Sequence, residues 1–346
     1  AGTFLEMDEG NQFSRGHPGI HVVPAVLALA EAMGRNGRDV LLAVILGYEV
    51  GARIGMAAKI RPSMHPHGTW GTTGAAVAVA KMMRADARQF REIINISSSL
   101  GLTTSRQTML QGGTVRNSFS GFSGQIGLMC WDMLQSGFTG EHDGLSSVWG
   151  KVISESFNPG EMTEELGERW EITRNYFKRH ACCRYNHGAL DALAKLGMKQ
   201  RLQADQIARV DVETYSLAVE LDDQNPQNTL AGKFSVPFAI ATTIIHGSSG
   251  VGSFTWEAIR RDDIQELADR VIVREDRSPT ATAETKTNRG DSEDPYDEAE
   301  LTEKYYELTS RLIEHDTAAD LHEGIMHLEE IADIRNLLRP LSAVQA

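Results

Sequence analysis

The chain has 346 residues, a hydrophobic share of 41% and a formal charge of −13. That length and apolar content suffice for two domains with a substantial core. The acidic balance argues against nucleic acid or an anionic membrane as a partner. The charge is uneven: residues 1–150 hold 12 basic and 11 acidic residues, whereas residues 291–346 hold 15 acids against 4 bases.

Apolar residues at helical spacing predict a helix over residues 20–34, with Pro24 in its first turn. Residues 38–60 form the most apolar stretch, but Glu49 and Arg53 interrupt it, and a buried helix suits it better than a membrane span. Gly47, Gly51 and Gly55 recur every four residues and give that helix a flat face for a neighbouring helix. Small residues predict a helix over 72–83. Asp86 starts another that runs to about Leu102, and residues 121–136 are helical again. No strand pattern precedes residue 170, so this first region reads as all-helical.

The pattern then changes. Residues 170–178 have strand character and 186–199 are helical. Residues 207–220 alternate and are rich in β-branched side chains, as in a half-buried strand. A buried helix is expected over 234–247 and an amphipathic one over 263–270. Residues 271–276 and 280–287 read as antiparallel strands. A polar linker, 288–296, leads to helices over 298–313 and 317–338, the tail packing back on the first helical region. The fold class expected is mainly α with an α+β part: residues 1–172 and 292–346 as a helical domain, residues 173–291 as a smaller α+β lid.

Three cysteines, Cys130, Cys182 and Cys183, make an odd set with two adjacent members. A disulfide framework is therefore not expected, and a reducing, cytoplasmic setting is. No CxxC or His/Cys spacing marks a zinc site, and the opening Ala1-Gly2-Thr3 has no basic leader. Gly112-Gly113 and Gly247-Ser248-Ser249-Gly250 lack the strand and spacing of a phosphate loop and read as hinges or turns.

Two stretches place acid/base side chains on constrained loops. The acidic cluster Glu6-Met7-Asp8-Glu9 runs into Gly16-His17-Pro18-Gly19, and a second turn reads Met64-His65-Pro66-His67-Gly68. Gly and Pro fix such backbones, and imidazole titrates near neutrality, as a proton carrier must. A lone loop histidine is more often bonded to its own loop, and a terminal carboxylate is more often solvated or capping. Cys182 and Cys183 suit buried packing better than nucleophilic chemistry.

In this order the chain resembles the MmgE/PrpD family, whose members include 2-methylcitrate dehydratases, cis-aconitate decarboxylase and iminodisuccinate epimerase. The resemblance is carried by Leu5-Glu6-Met7-Asp8-Glu9 with His17-Pro18 and Val23-Pro24-Ala25, then His65-Pro66-His67-Gly68-Thr69 with Gly74-Ala75-Ala76. It continues through Val115-Arg116-Asn117 and Gly137-Phe138-Thr139-Gly140. Tyr176-Phe177-Lys178, Cys182-Cys183-Arg184-Tyr185, His187 and Asp191 follow. Lys233-Phe234-Ser235-Val236-Pro237-Phe238 and Gly290-Asp291 complete it.

The resemblance implies a helical domain and an α+β lid with the catalytic cleft between them, a homodimer, and a small di- or tricarboxylate as substrate. It implies no metal and no organic cofactor. Family chains carry further helix ahead of the acidic block, so the helical domain is expected to lack those helices here. Carried over residue by residue, Glu6, His17 and His65 are the expected catalytic groups, with Asp8 and Glu9 less directly involved, His67 a neighbour outside the chemistry and His21 facing its own helix. Arg116, Lys178 and His187 are the expected substrate ligands, since cations bind carboxylates and Arg does so bidentately. Two departures stand out: Arg116, where a lysine would be able to carry a proton, and Phe238, where several members have Tyr.

The expected function is a cofactor-independent lyase that removes a proton α to a carboxylate, with 2-methylcitrate-type dehydration preferred. Epimerisation of the iminodisuccinate type and decarboxylation are the alternatives. The competing class is a non-catalytic dimeric binding protein that keeps the fold.

Overall fold

The computed structural model describes residues 2–199, 203–276 and 288–343. The chain divides into two compact units. One comprises Glu9–Thr104, Phe119–Tyr176 and Tyr296–Ala346; the other comprises Ala1–Asp8, Ser105–Ser118 and Phe177–Pro295. The short segments 1–8 and 105–118, assigned by sequence pattern to the helical domain, thus cluster with the α+β part.

The first unit is helical. Its core helices are Pro18–Met33, Gly37–Ala57, Gly71–Met82, Ala87–Ser98 and Phe119–Gln135. The first begins earlier than its pattern predicts, so Pro18 takes the opening position and Pro24 lies inside the helix. Gly34 ends it in the left-handed conformation with φ 60°, which costs a glycine little. Asn36 caps the next helix by accepting from the Asp39 amide. Asp86 and Gln89 form a reciprocal capping box at the start of Ala87–Ser98.

The glycine stripe does what its spacing predicts. A Cβ on Gly47 would lie 2.7 Å from both the Ala78 Cβ and the Gly74 carbonyl oxygen, so the Gly37–Ala57 and Gly71–Met82 helices touch backbone to backbone there. Gly37–Ala57 is long and apolar enough to cross a membrane. Here its Val40 and Ala43 join Val22, Val26, Ala30, Ala78 and Met82 in one buried cluster. Ile334, from the C-terminal segment, completes that cluster, and burying a side chain of this size contributes roughly 1.5–3 kcal/mol.

Three corrections apply. Short strands do precede residue 170: Ala58–Ile60 pairs antiparallel with Ser154–Phe157, and Gly10–Asn11 with Asn175–Tyr176. Segments of two to four residues are too short to show alternation. The strand predicted over 170–178 is mostly a helical turn, Glu171–Arg174, followed by Asn175–Tyr176. The last predicted helix is broken into His315–Met326, Leu328–Glu330 and Ile334–Leu338.

The second unit holds helices Arg184–Lys199, Val236–His246 and Asp262–Ala268 around a two-stranded parallel sheet. Val210–Thr214 pairs with Val271–Glu275, Val210 opposite Val271. The strand predicted over 207–220 ends at Thr214, and Ser216–Val219 turns helical. The strand predicted over 280–287 lies outside the described residues. Ser235 caps Val236–His246 by accepting from the Phe238 amide, with Pro237 in the first turn, as Pro prefers.

Candidate active site

In the second unit, three distant segments bring charge together in a buried place. Glu6 follows the helical turn Gly2–Leu5 with φ 55°, a left-handed conformation costing a non-glycine residue about 1 kcal/mol or more. Its carboxylate accepts from the Arg116 guanidinium through Oε1 and from Lys178 Nζ, 3.1 Å away, through Oε2. Lys178 also donates to Asp8 Oδ1 at 2.8 Å. Arg116 gives a further bond to the Thr3 carbonyl and lies over the Phe234 ring, 5.1 Å from its centre. Glu6, Arg116 and Lys178 are each at most 1% exposed. Of the expected residues, Glu6, Arg116 and Lys178 therefore meet, and Asp8 joins them as a direct partner of Lys178.

Lys233 belongs to the same cluster. It is 1% exposed. Burial pushes its ammonium down to about 8, a shift that neighbouring Lys178 and Arg116 reinforce and the Glu6 carboxylate partly offsets. The sequence placed it in a family block without a role, because a single lysine at a helix end carries no pattern.

His187 sits apart from that cluster's ion pairs. Its Nδ1 accepts from Arg184, 3.1 Å away, and its Nε2 donates to the Cys182 carbonyl at 3.3 Å. Burial, with help from His180 and Arg184, holds its pKa well below the usual imidazole range, so it stays neutral. Both ring nitrogens thus serve the protein: His187 orients Arg184, which pairs with Asp291. Burial pushes the Cys183 thiol up to about 11 and the Cys182 thiol further still. Neither has the thiolate character of a nucleophile at neutral pH.

The other unit holds His17, His21, His65 and His67. His17 is the residue before helix Pro18–Met33, and its Nδ1 lies 2.5 Å from the Glu9 carbonyl oxygen. A carbonyl only accepts, so Nδ1 carries a proton, which in the neutral ring puts the lone pair on Nε2. Glu9 itself accepts from the Gly19 amide and so caps the helix. His65 is the mirror case. Its Nδ1 accepts the His67 amide at 3.0 Å, which leaves the proton on Nε2 of the neutral ring. The His65 backbone is pinned by bonds to Thr104 on both its amide and its carbonyl.

His67, expected to be a bystander, is the centre of this group. The His17, His65 and His21 rings stand edge-on to it at 4.9, 4.7 and 5.4 Å. His21 does face its own helix, donating to the His17 carbonyl and accepting from the Gly68 amide. Imidazoles of opposite tautomer could serve as a base and an acid.

The MmgE/PrpD N-terminal domain model matches residues 3–161, and the MmgE/PrpD C-terminal domain model matches residues 180–287. The chain belongs to the MmgE/PrpD family. Relatives in this family include a cis-aconitate decarboxylase-like protein, oryM, of Aspergillus oryzae. It is 22% identical over an alignment covering 99% of this chain and 81% of the relative. Cis-aconitate decarboxylase of Aspergillus terreus is 22% identical over 97% of this chain and 78% of its own. The human cis-aconitate decarboxylase is 23% identical over 92% and 72%. The mainly helical fold with a smaller α+β part is that of an MmgE/PrpD member.

Proposed function

We propose that this MmgE/PrpD protein is a cofactor-independent lyase of a small polycarboxylate, and that its reaction is loss of CO2 from a cis-aconitate-like acid. The observation that carries the reading is the pair of complementary imidazoles, His17 with a lone pair on Nε2 and His65 with a proton on Nε2. The buried cations Arg116, Lys178 and Lys233 support a carboxylate-rich substrate. The names of the relatives shift the preferred branch from dehydration to decarboxylation.

The branches use the histidines differently. In decarboxylation the C–C bond to one carboxylate breaks, CO2 leaves, and the electron pair stays on carbon. That carbon then takes the proton of His65 Nε2, and solvent reprotonates the ring. Dehydration needs both groups: His17 removes the α-proton and His65 protonates the departing hydroxyl. Epimerisation likewise needs removal on one face and return on the other. A positioned acid or base of this kind contributes about 10²–10⁴-fold.

The test is proton NMR in D2O with cis-aconitate, citrate, 2-methylcitrate, malate and an iminodisuccinate-type acid, on wild type, His17→Gln and His65→Gln. Decarboxylation is expected for cis-aconitate, with one solvent deuterium in the product and a larger loss in His65→Gln than in His17→Gln. Equal losses with a hydrated substrate would move the reading to dehydration. Deuterium exchange without net product would move it to epimerisation. A folded protein that binds these acids and changes none of them would be a binding protein.

A further inference from the structure

Lysine ammonium groups have three N–H donors. Lys233 Nζ gives one to the Phe4 carbonyl at 2.5 Å and lies 4.7 Å from the centre of the Phe4 ring. Among the described residues it has no carboxylate partner. Its two cationic neighbours differ: Arg116 is paired with Glu6, and Lys178 lies between Glu6 and Asp8. Burying an ammonium without a counterion is costly, and such local cost is expected where function requires it.

The backbone beneath Lys233 is clamped. Its carbonyl accepts from the Cys183 amide at 2.9 Å and from Asn186 Nδ2 at 3.0 Å. The amine is therefore placed by the fold rather than free to search solvent, which lowers the ordering cost of binding an anion.

We propose that Lys233 is an anchor for a substrate carboxylate, the anion supplying the counter-charge that the folded protein withholds. This deepens the polycarboxylate reading above and rests on it for the class of ligand. The groups that set the charge of Lys233 are Glu6, Cys182, Lys178 and Arg116, all in the same unit. Of these Glu6 favours the charged amine, and Lys178 and Arg116 oppose it. Binding through Lys233 therefore weakens as pH rises through about 8.

The experiment is calorimetric titration of the full chain with tricarballylate, an unreactive tricarboxylate, from pH 7 to pH 9.5. It compares wild type, Lys233→Arg and Lys233→Met, with a thermal melt of each. Wild type should bind at pH 7 and lose affinity above pH 8. Lys233→Arg should keep its affinity to higher pH, because a guanidinium stays charged. Lys233→Met should bind about tenfold or more weakly at pH 7 yet melt no lower than wild type, since a buried unpaired charge has been removed. Equal affinity of Lys233→Met and wild type at pH 7, or a wild-type affinity flat to pH 9.5, would overturn the assignment. Wild type that does not bind tricarballylate would overturn it as well. Binding through Lys233 with no turnover of any acid would uphold the anchor and defeat the lyase reading alone.

Discussion

In the helical unit, backbone groups hold the histidines: the Glu9 carbonyl meets His17, the His67 amide meets His65, and the Gly68 amide meets His21. In the α+β unit, side chains hold side chains: Glu6 meets Arg116 and Lys178, and Asp8 meets Lys178. A ring held by a backbone donor or acceptor is held to one tautomer. A buried ion pair keeps its charge but depends on every member. The groups proposed to move protons and those proposed to hold anions thus sit in different settings.

The largest effect should come from breaking the ion pairs. Glu6→Ala takes a carboxylate partner from both Arg116 and Lys178, and removing one partner of a buried pair costs about 3–5 kcal/mol. Hydrogen exchange should show lost protection at 177–195 while amides of Gly71–Met82 stay protected. Equal loss in both units would mean that the two do not respond separately. Gly47→Ala probes the helical unit instead. Its new Cβ would lie 2.7 Å from the Gly74 carbonyl, and overpacking of this kind costs about 1–3 kcal/mol. Here protection should fall in Gly71–Met82 first, and a variant with unchanged urea midpoint would show that the helices can part at no cost.

A pH experiment sharpens the contrast between rings. The folded-state pKa of His187 is lowered, so below the ordinary imidazole value of about 6.5 the unfolded chain binds the proton first. His187 therefore makes the protein lose stability as pH falls through that value. His187→Gln should flatten the decline in urea midpoint between pH 7 and pH 5, and a slope as steep as wild type would locate the acid sensitivity elsewhere. The smallest effect is expected at the surface. Lys59→Ala breaks an exposed pair with Glu155, and the unfolding free energy should change by no more than about 0.5 kcal/mol.

Helices with a strong period were legible within a few residues, as for residues 71–82 and 236–246. The glycine stripe of residues 47–55 was legible because its spacing has one geometric meaning. Glu6, His17, His65, Arg116 and Lys178 were singled out through the family blocks, and the structure brings Glu6, Arg116 and Lys178 together. The centrality of His67 was not, because His65 and His67 differ by two residues in a turn whose folding decides which ring is enclosed. Lys233 was missed for another reason. Its importance lies in the carboxylate it does not meet, and a sequence shows neighbours along the chain rather than missing ones across it. Helix breaks after Met326 were illegible because the residues there continue the apolar period while the backbone turns.

The chain passes back and forth between the units, contributing residues 1–8, 105–118 and 177–295 to one and the intervening stretches to the other. During synthesis this becomes a matter of timing. Glu6 and Asp8 are made 172 and 170 residues before Lys178, and 227 and 225 residues before Lys233. Contacts of such separation form late and slowly, so a nascent chain holds its helical hairpins well before its charge cluster. Agents that trap partly folded chains should therefore find residues 2–8 accessible when the Gly37–Ala57 and Gly71–Met82 pair is already closed.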